Sequence, residues 1–202
     1  MKFAASIVAL SCLPLCWASA VVAPDHTPLK HRTVRQASWE VEVSPGGPTV
    51  VLHGTVEEVY AQLIKLNPDR DAQFADYDSR MGNHTTLEKR TDFSNAKLYC
   101  GWPWPTCDTN TIQGSINHLR HVRGRPWGDC GPGNCMLASC QDTFAIWWCN
   151  DDPKPKTLLS YGSIADGAQY LLHHCVGIGQ DSFSGQIFHH TNWNVIVSNS
   201  TC

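Results

Sequence analysis

The sequence predicts an α+β protein: a small disulfide-rich domain in which an antiparallel sheet carries two helices on one face, preceded by a small pro-domain. Three observations point there. Apolar residues recur at every second position in some stretches and at every third and fourth in others, so strands and helices both occur. Beyond residue 90 these stretches follow in the order helix, strand, strand, helix, strand, strand, two similar halves best satisfied by one antiparallel sheet with its helices on the same side. The chain also holds ten cysteines, and all but Cys12 and Cys16 lie beyond residue 90: Cys100, Cys107, Cys130, Cys135, Cys140, Cys149, Cys175 and Cys202. An even set in a short secreted segment implies disulfides, whose connectivity stays open among on the order of a hundred pairings.

Residues 1–20 read as a secretory signal peptide, with Lys2, an apolar run from Phe3 to Trp17, and Ala18-Ser19-Ala20 as an A-x-A site cleaved after Ala20. No later stretch approaches the roughly 18 apolar residues of a membrane helix, so a secreted, extracellular product without a membrane span is expected. Residues 21–36, rich in Pro, His and basic side chains, lack periodicity and read as a flexible lead-in. Trp39, Val41 and Val43 alternate with Glu40 and Glu42 as a strand, residues 45–48 turn, and residues 49–52 form a second strand. Thr55 and Glu58 make a capping box, and Val56, Val59, Tyr60, Leu63 and Leu66 share one face of the helix that runs on to Pro68. The apolar face of this unit needs a partner: either it docks on the downstream domain as a pro-domain, or it is a small module of its own or a remnant with no role. Residues 69–88 are polar, carry the Asn83-His84-Thr85 glycosylation sequon, and read as a linker. The linker ends at Lys89-Arg90, which resembles the site cut by the kexin-like proteases that process secreted precursors in fungi. Cutting after Arg90 divides the chain into a pro-segment, 21–90, and a mature domain, 91–202.

The mature part opens with a loop from Cys100 to Cys107 that its prolines hold extended. In it, Trp102 and Trp104 either offer rings to a sugar or lipid surface or cap the edge of a small core. Asp108 or Thr109 caps a helix to about Val122, with Ile112, Ile116 and Leu119 inward. The helix ends among Arg120, Arg123 and Arg125, which either complement the helix dipole or meet an anionic partner. Residues 135–140 and 143–149 are strands joined at Gln141-Asp142. The second is apolar on both faces, hence central, with helices on one side and another layer on the other. Ser163 with Asp166 is read as the cap of a second helix whose buried stripe is Ile164, Ala168, Leu171, Leu172 and Cys175. Residues 184–188 and the alternating Trp193, Val195 and Val197 are the last strands, followed by a second sequon at Asn199.

Composition narrows the chemistry. The formal net charge of the whole chain is -3, and beyond residue 90 six lysines and arginines face eight aspartates and no glutamate, so no nucleic-acid partner is expected. The missing Glu counts against guanyl-specific ribonucleases, which use one as general base, and against most glycosidases; Asp151 and Asp152 ahead of Pro153 are better read as turn formers. His118 with Arg120 or Arg123 as acid and phosphate clamp keeps a small secreted hydrolase, a ribonuclease first among them, as the alternative. The adjacent pairs His173-His174 and His189-His190 point apart, and an oxidising compartment turns thiols into disulfides, so neither a metal nor a cofactor is expected. No catalytic residue is assigned.

The segments Ala145-Ile146-Trp147-Trp148-Cys149-Asn150-Asp151, Ile164-Ala165-Asp166-Gly167-Ala168, Gly185-Gln186 and Asn192-Trp193-Asn194-Val195-Ile196-Val197 before Cys202 form a recognisable series. It is similar to that of a widespread group of fungal secreted cysteine-rich proteins. More distantly it resembles the virus-encoded smut killer toxin and the necrosis-inducing extracellular effectors. The resemblance implies a compact α/β sandwich and a non-enzymatic, toxin-like or effector role, binding a target on a host or competitor cell surface. An ion channel is the form such a target takes for the killer toxin. Trp102, Trp104, Arg120, Arg123 and Arg125 are then the candidate contact residues.

Overall fold

A computed structural model describes residues 21–22, 29, 32–80, 90–101 and 103–202. Ala20, Asn83, Lys89 and Trp102 lie outside the described residues. Within them the chain is α+β, with largely antiparallel sheets and four helices.

The first part contributes β1 (Val21–Val22), β2 (Thr33–Arg35), β3 (Ser38–Glu42), β4 (Thr49–His53), α1 (Val56–Leu66) and α2 (Arg70–Arg80). After Arg90 follow β5 (Lys97–Cys100), β6 (Cys107–Asp108), α3 (Thr109–His121), β7 (Gly124–Gly128), β8 (Asn134–Gln141), β9 (Phe144–Asn150) and β10 (Lys156–Thr157). The last elements are α4 (Tyr161–Cys175), β11 (Ser182–Phe183), β12 (Gly185–His189) and β13 (Trp193–Asn199). Seven strands form the main sheet in the order β1-β2-β8-β9-β13-β12-β5; β10-β7-β3-β4 form a second sheet, and β11 pairs with β6. Every pairing is antiparallel except that of β2 with β8.

β9 sits where its two apolar faces predict, between β8 and β13. Ile146 and Trp148 point to the helix side, where Ile112, Ile116 and Leu119 of α3 and Ile164, Ala168 and Leu171 of α4 close the principal core. Ala145, Trp147 and Cys149 point the other way, into a second cluster completed by Leu29, Trp104 and Ile196. Both helices therefore lie on one face. Gly167 makes α4's close approach possible: a Cβ there would stand 2.7 Å from Val195 Cγ2 and 3.1 Å from Phe93 Cζ.

Residues on both sides of Arg90 build the same core. β3 pairs with β4 on one edge and β7 on the other, which carries Trp39 and Val41 into the cluster that holds Trp148 and Tyr161. Trp39 is 1% exposed, stacks on Tyr161 at 4.4 Å, and donates its indole N–H to the Gly54 carbonyl at 2.5 Å. Removing a ring of some 150–250 Å² from water at ~25 cal/mol/Å² stabilises by about 4–6 kcal/mol. The Thr55/Glu58 capping box forms in both directions, and α1 buries Val56, Val59 and Leu63 against the sheet.

Several sequence expectations are corrected. Residues 33–35, read as lead-in, are a strand because β8 offers them a free edge. Residues 70–80, read as linker, are the helix α2; only Arg70 and Phe74 are buried, too few to leave a stripe in the sequence. α4 starts at Tyr161 after Ser160, so Ser163 and Asp166 lie inside the helix and do not cap it. Cysteine pairing is also revised. Cys100–Cys175, Cys135–Cys149 and Cys140–Cys202 are bridged and Cys130 is disulfide-bonded, but Cys107 is a free, fully buried thiol. Cys107 starts β6 and pairs with Phe183 under α3. Burial there pushes its thiol up to about 12.

Candidate functional site

A cleft of about 630 Å³ opens between α1, α2 and α3. Tyr60 on α1, Phe74 on α2 and Val122 after α3 supply its apolar lining. Around them stand Glu57, Arg70, Asp71, Asp78, His118, Arg120, His121 and Arg123. The helical repeat aligns them: Arg70, Phe74 and Asp78 are successive i, i+4 positions of α2, and His118 and His121 are i, i+3 on α3.

The charges are matched within the fold. Arg123 Nη2 donates to both oxygens of Asp78, at 2.5 and 2.6 Å, and its guanidinium lies 4.9 Å from the centre of the Phe74 ring. Arg70 lies 4.4 Å from the same ring, 2% exposed, with Nε on the Glu42 carbonyl at 3.4 Å and Nη1 on Asp71 at 3.4 Å; its Nη2 has no partner. Burial lowers the Arg70 pKa while Asp71 opposes the change. Tyr60 donates its hydroxyl to Asp71, and that hydrogen bond, followed by burial, raises the phenol's pKa. Arg120 Nη2 donates to Asp166 Oδ1 at 2.7 Å. His121 Nδ1 pairs with the Asn117 carbonyl at 2.7 Å, while His118 has no partner among the described residues. Glu57 takes Ser139 Oγ at 2.5 Å and the Cys140 amide at 3.3 Å, at the bulge that interrupts β8 between Leu137 and Ser139.

Of the residues singled out in the sequence, the fold brings His118, Arg120 and Arg123 to this cleft and sends the others elsewhere. Arg125 is in β7, with Nε on the Leu158 carbonyl at 3.4 Å. Trp104, expected as a contact residue, is 8% exposed and fills the second core, because the outer face of β9 and β13 needs a cover. Asn199 donates its side-chain amide to Thr143 Oγ1 at 3.2 Å, and Arg90 is exposed. Glu57, Tyr60, Asp71 and Asp78 were missed as site residues. The capping box could have placed Glu57, one position before Glu58, on the first turn of α1, but nothing local announces its partners on β8.

A second concavity of about 460 Å³ is bordered by Asp92, Lys97, Phe188, His189 and His190. Burial, then the His190 charge, lowers the His189 pKa. Among the described residues no group of three or more His, Cys, Asp or Glu is placed to hold a metal ion, and no helix is long and apolar enough to cross a membrane. No family model, no curated protein and no solved structure matches this chain.

Proposed function

We propose that the protein is secreted, is cut after Arg90, and acts without catalysis as an effector or toxin-like protein that binds an anionic group on a host or competitor cell surface. The observation that carries this reading is the hold of both Asp78 oxygens on Arg123 Nη2 while the guanidinium lies over the Phe74 ring. A guanidinium on an aromatic face, taken by a carboxylate from the least buried helix, is a recognition geometry with an internal occupant. With both partners about a third exposed, the internal pair is worth no more than about 1 kcal/mol, so an external carboxylate or phosphate displaces it at low cost. The resemblance to secreted fungal effectors supports the cell-surface target.

The test is binding of fluorescently labelled secreted protein to fungal and plant cells, with and without calcium. Arg123→Glu is expected to abolish binding while leaving far-UV circular dichroism unchanged. Equal binding by wild type and Arg123→Glu, or none by either, sinks the reading.

A second reading, a small hydrolase acting on RNA, is favoured by one observation: Glu57, Tyr60, His118, Arg120 and Arg123 border one cleft. A carboxylate, an imidazole and guanidinium groups are the parts of general acid–base phosphodiester cleavage. RNA turnover lost in both Glu57→Gln and His118→Ala would favour it; no turnover between about pH 4 and pH 8 would remove it.

A further inference from the structure

We infer that the Arg90–Thr91 bond is a maturation site whose product is a charged amino terminus with its receptor already in place, the carboxylate of Asp166. The inference rests on the reading that the chain is processed after Arg90. Arg90 is exposed, while Thr91 is half-buried and its backbone N–H donates to Asp166 Oδ2 at 2.7 Å. Asp166 stands on α4 with a side chain 9% exposed, and its other oxygen holds Arg120. Two residues after Thr91, Phe93 is 2% exposed and makes edge contacts with His189 and Trp193. Its ring also lies against Gly167, next to Asp166 in the chain. The Thr91 nitrogen is thus held by Asp166 and anchored downstream through Phe93 while it is still an amide.

Hydrolysis breaks the Arg90 C–N bond. The hydroxyl of water passes to the Arg90 carbonyl, which ionises, and the nitrogen stays on Thr91 as an amine that takes up a proton. A neutral donor at 2.7 Å becomes a cation in the same position. Asp166 then serves two cations, the new terminus and Arg120, and Arg120 borders the α1–α2–α3 cleft. Cleavage after Arg90 therefore weakens the hold on a guanidinium at the cleft, and a cut protein binds an anion there more readily than an uncut one.

The experiment starts with the intact mass of secreted protein, then digests any uncut chain with a dibasic-specific protease. Amines are methylated with isotopically labelled formaldehyde and titrated by NMR. The Thr91 amine is expected to titrate at least about 1 pH unit above the ordinary range of ~7.7–8.0. It should return to that range in concentrated urea and in Asp166→Asn, and stay raised in Arg120→Gln. The urea reference keeps the test decisive if a variant does not fold. A secreted chain intact at Arg90, or a bond the protease does not cut, overturns the processing reading. A cut chain whose folded Thr91 amine titrates in the ordinary range overturns the receptor alone.

Discussion

Replacing Trp39 by alanine should cost about 4–6 kcal/mol, and the number follows from three contacts. The side chain is 1% exposed, so truncation opens a cavity of the kind that costs about 3–5 kcal/mol. Loss of the stack on Tyr161 at 4.4 Å removes about 0.5–1.5 kcal/mol more. The Gly54 carbonyl also loses its indole donor and is left buried, a penalty of about 1–3 kcal/mol that overlaps the cavity cost and does not add in full. With a urea dependence of about 2 kcal/mol/M, the unfolding midpoint should fall by roughly 2–3 M. Trp39 precedes the dibasic pair and Tyr161 follows it, so the same variant tests whether the two parts of the chain fold as one. In wild type cut after Arg90, both pieces should co-elute; in Trp39→Ala they should separate on dilution. A midpoint shift below about 0.5 M, or a separate early transition, would refute the shared core.

Gly167→Ala sets two effects against each other: alanine gains about 1 kcal/mol of helix propensity, while its Cβ, 2.7 Å from Val195 Cγ2, overpacks the α4–sheet contact by about 1–3 kcal/mol. The Tm should fall, by roughly 2–4 °C for each kcal/mol lost, and a rise would show that the sheet yields. His189 has a folded pKa below its unfolded value near ~6.5, so the unfolded state binds the proton first and stability is lost as pH falls through that value. Thermal unfolding from about pH 7 to pH 5 should show a smaller drop in His189→Gln than in wild type; equal slopes would refute the assignment. Cys107, with its thiol pushed up to about 12, should resist iodoacetamide at about pH 8 in the folded protein and react in denaturant, as read by peptide mapping. Modification of Cys107 in the native state would contradict its burial.

The elements legible in the sequence are those whose apolar residues repeat within one segment. The stripes Val56-Val59-Leu63 and Ile112-Ile116-Leu119 and the alternation of Trp193, Val195 and Val197 each announce a buried face without reference to a partner. α2 is invisible for the opposite reason, since Phe74 is the one apolar side chain it buries. β7 reads Gly-Arg-Pro-Trp-Gly, which carries turn residues; it is a strand because β3 lies along it. The same limit governs the cleft. Arg120 and Arg123 look like a free basic cluster in the sequence, and only the fold supplies Asp166 and Asp78 to hold them.

Glutamate content separates the two functional readings. All five glutamates, Glu40, Glu42, Glu57, Glu58 and Glu88, precede Arg90, so the composition argument against a hydrolase holds only if the pro-segment leaves after cleavage. The fold argues that it stays: Trp39, Val41, Val59 and Leu63 are buried in the core they share with α3 and α4, and Glu57 is anchored on β8 by Ser139 and Cys140. A cut after Arg90 would then nick the molecule and leave Glu57 and His118 lining the same cleft. A hydrolase built this way is active as the nicked pair and loses turnover in Glu57→Gln. A binding protein whose internal occupant is Asp78 gains affinity in Asp78→Asn, which loosens Arg123 and leaves the Phe74 ring in place. Assaying RNA turnover and cell binding on the nicked pair in Glu57→Gln and in Asp78→Asn separates the readings: turnover lost in the first favours the hydrolase, and binding gained in the second favours the binding protein.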